Sequence, residues 1–392
     1  MRVIIMKHRI FFILIAALFL MTSCGTDNDV DPSLMVFDTT SPERNSFDQW
    51  LQDNYTKPYN INFIYRYIDK ETDQSYNVIP ADFDKAKALA ILIKHVWLDA
   101  YAEAVGEDFI KTYSPRVYQL IGSAEYSSGG DNSIKLGTAE GGLKVTVFRV
   151  NAINPSTPWI DQESIFPNTA ADNPMDMNYW FFHTLHHEFC HILTQTKNYS
   201  TEFQGISSGD YQTTNWVNVK NSDAPAMGFT SGYGSSEYNE DFAEIYAFYV
   251  THTPSAFKKL LEASIIETDV QAIDKNGNPV YKKDSQGNYI PQTDANGNII
   301  YQKDPETGEI VYTKVTDAEG KVTYEPVPAY VPEMEKDYTA YNKLVAKFNI
   351  LYDYFKLTWG IDLDKLRDVV LKRSKEVEKG VDISDNKMCV IK

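Results

Sequence analysis

Residues 179–196 read YWFFHTLHHEFCHILTQT and hold four of the seven histidines in the chain. Within them His187, Glu188, Phe189, Cys190 and His191 form an HExxH pattern. Trp180, Leu185, Phe189 and Ile192 recur at helical spacing, which predicts a helix with His187 and His191 one turn apart on one face. Two neutral imidazoles so placed can grip one metal ion. Glu188, beside the first of them, can take a proton from a water on that ion without ligating it. The stretch therefore implies zinc-assisted hydrolysis. A five-residue pattern also arises by chance, and histidines on an aromatic-rich helix can be ordinary buried residues, so a third ligand is the deciding feature.

A metzincin would place glycine and histidine where this chain has Thr194 and Lys197, so that class is excluded. The one later histidine, His252, sits between Thr251 and Pro254 with no supporting pattern. A carboxylate answers better. In the run Asn239, Glu240, Asp241, Phe242, Ala243, Glu244, a helix puts both glutamates on one face. Glu240 can then ligate while Glu244 hydrogen-bonds an imidazole N–H behind the metal; without such a partner, two acids one turn apart repel. His183 either lines the cleft or is structural, His186 points elsewhere on the helix, and Cys190 reads as a small packing residue.

The run Asn239–Glu244 resembles the downstream motif of thermolysin-like gluzincins. A longer match, through Tyr233, Gly234, Glu240, Phe242, Ala243 and Glu244, is to the catalytic domain of anthrax lethal factor. That similarity implies that Tyr233 donates its hydroxyl to the oxyanion. Together with the N-terminus described next, these motifs and the C-terminal helices resemble the substrate import-associated zinc metallohydrolase lipoproteins. The resemblance implies a surface lipoprotein with one zinc ion per chain, acting on polypeptide beside a TonB-dependent outer-membrane importer and its substrate-binding lipoprotein.

Arg2, Lys7 and Arg9 precede an unbroken apolar run from Ile10 to Met21, too short to span a bilayer and suited to a signal peptide. Thr22 and Ser23 before Cys24 resemble a bacterial lipobox, which makes Cys24 the lipidated first residue; ordinary cleavage with an incidental cysteine is the lesser alternative, since so few cysteines exist to fall there. Asp27, Asp29 and Asp31 follow, like the acidic export tags of outer-surface lipoproteins. Removing residues 1–23 takes the formal charge from −17 to −20, which argues against nucleic acid or anionic membrane as a partner and leaves the lipid as the attachment. Beyond Cys24, Cys190 and Cys389 give no reason to expect a disulfide.

Along the rest of the chain, residues 24–45 read as a flexible tether. Alternation over 59–67 predicts a strand, and an apolar stripe over 82–105, with His95 inside it, predicts a helix ending at Gly106. Strands are expected at 116–121 and 143–150, the second as the sheet edge over the metal where an extended substrate could pair. Residues 151–178 and 197–236 read as loops. Residues 270–328 turn to Asp, Asn, Gly, Tyr and Thr, with glycines 277, 287, 297, 308 and 320 each following an aspartate. This predicts successive tight β-hairpins; the spacing fails that of an EF-type calcium loop. Helices are expected at 341–355 and 362–378. The fold class is α+β, a zincin-like catalytic domain over 46–269 and 329–385 interrupted by a β-hairpin block at 270–328. Its preferred activity is peptide-bond hydrolysis; a zinc scaffold for the importer and an amidohydrolase for non-protein amides are the alternatives.

Overall fold

The computed structural model describes residues 43–68, 78–126, 134–135, 137–140, 143–166 and 175–392. The signal peptide, Cys24, the acidic stretch to Asp31 and nearly all of the tether lie outside them. Among the described residues no helix is long and apolar enough to cross a membrane. Helix α1 (Ser46–Leu51) passes through a wide turn, Gln52–Thr56, into Lys57–Tyr59. Asn60 stops it in the left-handed region at φ 55°, a conformation that asparagine's short polar side chain tolerates. The strand expected over 59–67 therefore shrinks to β1 (Asn62–Ile64), although Ile61, Phe63 and Tyr65 are all buried.

Asp82 caps the next helix by accepting from the N–H groups of Asp84 and Lys85 at 3.1 and 3.2 Å, which satisfies donors that a helix start leaves open. Helix α2 (Phe83–Ile93) is buried on every side from Ala86 onward. It continues through a wide turn, Lys94–Leu98, into α3 (Asp99–Ala104), and Gly106 at φ 127° separates this from α4 (Glu107–Tyr113).

Strands β2 (Val117–Leu120), β5 (Gly137–Glu140) and β6 (Lys144–Val147) join β1 in one sheet of order β1-β2-β6-β5. A two-stranded hairpin, β3 (Glu125–Tyr126) and β4 (Ile134–Lys135), lies between β2 and β5 in the chain. β1, β2 and β6 are parallel, and β5 is antiparallel to β6. This corrects the expectation for 143–150: β6 is paired on both sides, and among the described residues the edge strand on its side of the sheet is β5, antiparallel to it. Period-two alternation marks a strand but cannot say which neighbour lies outside it.

A wide turn at Asn178–Phe182 leads into α5 (His183–Thr196), and β5 lies against this helix. The segment after it holds short helices at Glu202–Ile206 and Ala224–Met227, and then α6 (Tyr238–Thr251) packs along α5. Trp97 joins sheet to site helix, meeting the Tyr118 ring at 6.2 Å and the Phe189 ring at 5.2 Å. Buried aromatics of this size contribute about 1.5–3 kcal/mol each, so the pair fixes how α5 sits.

After α7 (Pro254–Ala263), β7 (Ile266–Gln271) pairs antiparallel with β10 (Met334–Asp337). Between them the chain builds a ladder. Tight loops close at Ile273↔Pro279, Lys283↔Tyr289, Thr293↔Ile299 and Lys303↔Ile310. They stack on one returning strand through Tyr281↔Pro332, Pro291↔Tyr330 and Tyr301↔Pro328, and β8 (Tyr312–Thr316) with β9 (Val322–Pro326) forms the far end. Asp274 Oδ1 accepts from the backbone N–H of Asn276 and of Asn278, both at 2.8 Å, and Asp284 and Asp294 repeat the pattern. These carboxylates hold their own turns. The chain then re-enters the core with α8 (Thr339–Tyr354), which packs on α6 and α7, and with α9 (Leu363–Glu376). A last short pair, β11 (Val381–Asp382) and β12 (Cys389–Val390), closes the described chain.

Candidate metal centre

Helix α5 buries Leu185, Phe189 and Leu193 on one side and turns His187 and His191 toward α6. The two Nε2 atoms stand 3.0 Å apart. Glu240, in the first turn of α6, brings Oε2 to 2.9 Å from His187 Nε2 and 3.2 Å from His191 Nε2. Metal–ligand bonds of about 2.0–2.1 Å in tetrahedral geometry separate ligand atoms by roughly 3.3 Å, so the donor set fits one small divalent ion.

What lies behind these atoms sharpens the argument. His187 Nδ1 is 2.8 Å from Glu244 Oε1, angled off the ideal N–H direction but close enough to pair. With its proton on that side, His187 presents a bare lone pair to the front, facing a carboxylate oxygen that is also an acceptor. Such atoms repel unless a cation lies among them. The same demand shows in the metal-free acid–base behaviour. Burial opposes a charge on His187, but hydrogen bonds to Glu240 and Glu244 outweigh it and raise its pKa to about 10. Burial also opposes ionisation of Glu240, yet hydrogen bonds from His187 and His191 hold its carboxyl well below the usual range. A proton takes the place a metal ion would fill.

Glu244 gathers three groups. It sits 3.0 Å from His183 Nε2, pairs with His187 and accepts from Ser231 Oγ at 2.5 Å. Burial opposes its charge, but His183 and His187 hold its carboxyl far below its ordinary value. His183 is thus a partner of Glu244 and lies away from the front triangle. Glu188 is half-buried and within electrostatic reach of His187, His191, Glu240 and Glu244, and burial pushes its carboxyl up. Tyr233, 39% exposed, hydrogen-bonds Glu240 through its hydroxyl, with its ring 5.7 Å from His187 and 4.9 Å from Trp216.

Among the described residues, the remaining histidines stand apart from the triangle. His186 is buried behind α5 with Nδ1 2.8 Å from the Tyr101 hydroxyl, His252 stacks on Phe248 at 4.0 Å, and His95 lies 2.8 Å from Glu376. Cys190 is fully buried, and burial pushes its thiol up, as suits an unreactive packing residue. Sequence reasoning missed Ser231, which sits in a polar loop with no marking pattern. It also missed Lys347, whose signal was present: a lysine inside the apolar stripe of Leu344, Phe348 and Leu351.

A helix-borne HExxH pair facing a carboxylate from a second helix, in a mixed α+β chain, is an arrangement that suits a metallopeptidase. The chain belongs to the family described as "Putative zinc-binding metallo-peptidase", which matches residues 40–364. A crystal structure from Bacteroides caccae ATCC 43185 bearing the same description is 28% identical, with a TM-score of 0.53 over 87% of this chain and 96% of that one. No curated protein matches the chain.

Proposed function

We propose that this chain is a gluzincin-type zinc peptidase in which His187, His191 and Glu240 hold one zinc ion per chain. The observation that carries the reading is the front triangle, two imidazole nitrogens and a carboxylate oxygen 2.9–3.2 Å apart, a donor set and spacing that suit one small divalent ion. Zinc bound there supplies Lewis-acid polarisation of a carbonyl and acidifies a water. Glu188 takes the proton of the attacking water and passes it to the leaving amine, a task that its raised pKa suits. Tyr233 turns its hydroxyl toward the oxyanion as charge develops. Glu244 keeps the His187 proton on Nδ1, so that Nε2 stays a ligand. Strand β5, at one edge of the sheet among the described residues and against α5, offers its outer backbone edge to an extended polypeptide.

The test is metal content together with cleavage of a mixed peptide library, beside Glu188→Gln. The expected result is one zinc per chain and cuts that vanish in the variant. Cleavage undiminished in Glu188→Gln defeats the scheme, and zinc without any cleavage favours a scaffold role or a non-peptide amide.

We further propose that Cys24 is acylated after removal of residues 1–23 and that the chain works on the outer surface of the outer membrane beside a TonB-dependent importer. The basic start, the short apolar run and Asp27, Asp29 and Asp31 support this. Radiolabelled palmitate should enter the wild-type chain and not Cys24→Ala, and whole-cell protease should remove it; equal labelling or full protection would count against it.

A further inference from the structure

The candidates beyond the metal triangle are the exposed apolar rows of the ladder, the buried His186–Tyr101–Tyr246 cluster, and a buried ion pair behind Glu240. Nothing on the ladder indicates what covers it, and the three side chains of the tyrosine cluster are fully buried. The ion pair is different. Lys347 Nζ lies 2.6 Å from Asp241 Oδ2, and both side chains are 0% exposed.

Burying two charges is costly, and an apolar pair of similar volume would serve stability as well or better. The contacts show what the pair accomplishes. Asp241 is the residue after Glu240, in the first turn of α6, and that turn has no side-chain cap of its own. The Lys347 ammonium also donates to the carbonyl oxygen of Gly228 at 2.8 Å and lies 4.0 Å from the centre of the Phe229 ring. Gly228, at φ 89°, opens the loop that carries Ser231 and Tyr233 to the site. Tyr211 donates to the same Asp241 oxygen at 3.0 Å and packs against Phe229 at 5.4 Å. One ammonium on α8 thus joins the Glu240 turn to the Tyr233 loop.

We propose that Lys347, acting through Asp241 and the Gly228 carbonyl, is a positioning residue that holds Glu240 and Tyr233 in register with the two imidazoles. The proposal rests on the zinc reading above. Local helix structure can aim Glu240 only as well as its uncapped first turn is held, and the triangle tolerates a few tenths of an ångström. The site is therefore completed by a helix that re-enters the core only after the ladder. Lys347 joins the site by tertiary contact alone.

The experiment measures zinc affinity by chelator competition, with circular dichroism and thermal unfolding alongside. It uses the full mature chain, Lys347→Met, the apolar double variant Asp241→Leu/Lys347→Met and the near-isosteric Asp241→Asn. The single variants should bind zinc about 10–100-fold more weakly, the range typical when a group supporting a ligand is lost. The double variant should recover thermal stability while its zinc affinity stays low, a split that a purely structural pair would not produce. Wild-type affinity in a folded double variant overturns the proposal; should that variant fail to fold, wild-type affinity in Asp241→Asn does so instead. Absence of zinc binding in the wild type would remove the zinc reading itself, and this proposal with it.

Discussion

Replacing Glu244 by glutamine tests the geometry behind the metal without touching a ligand. In the wild type one carboxylate oxygen serves His183 at 3.0 Å and His187 at 2.8 Å, and the other accepts from Ser231. Glutamine keeps the shape and one acceptor oxygen. It loses the charge, and its amide N–H₂ turns toward Ser231 Oγ, which can rotate to accept. The change therefore converts two charge-assisted imidazole bonds into neutral ones. Hydrogen bonds to charged groups contribute about 1.5–3 kcal/mol against about 0.5–1.5 for neutral ones, a loss of roughly 1 kcal/mol each. At about 1.4 kcal/mol per tenfold, two such losses correspond to a fall of about 10–30-fold in zinc affinity. Chelator competition on the folded variant reads this directly. Circular dichroism should be unchanged, because the side chain's volume is kept. An affinity within twofold of wild type would refute the idea that Glu244 sets the His187 tautomer.

Tyr233→Phe should lower kcat about 100-fold with KM little changed, because the hydroxyl's contribution to turnover grows as charge develops on the oxyanion; a KM-only effect would assign Tyr233 to substrate binding. In the metal-free chain the His187 charge stabilises the folded state fully below about pH 6.5, and that contribution is lost as pH rises through about 10. Glu240 and Glu244, held below their usual values, contribute above the ordinary carboxylate range and lose this as pH falls. Thermal unfolding of chelated protein should therefore peak between about pH 5 and pH 6.5 and decline on both sides, toward pH 3 and toward pH 10; a flat profile over that span would contradict the paired arrangement. Trp97→Ala, which breaks the link between sheet and site helix, should cost about 3–5 kcal/mol in denaturant unfolding, and a loss below 1 kcal/mol would show that α5 is held by other contacts.

That His187 and His191 share one face of α5, and Glu240 and Glu244 one face of α6, was legible in the chain because helix geometry is a local matter: 3.6 residues per turn bring i and i+4 together whatever surrounds them. The long helices were readable for the same reason, and the turn aspartates of the ladder because their hydrogen bonds reach only two to four residues. Which strand lies outermost was not, since β5 and β6 differ in neighbours and not in period. Ser231 and Lys347 reach the site across the fold, and no spacing rule connects a lysine on α8 to a glutamate on α6. Local sequence determined the kind of chemistry the site offers. Only the tertiary packing of α5, α6 and α8 decided the distances among its donors, because an atom's place to within a few tenths of an ångström is set by every element that presses on the backbone behind it.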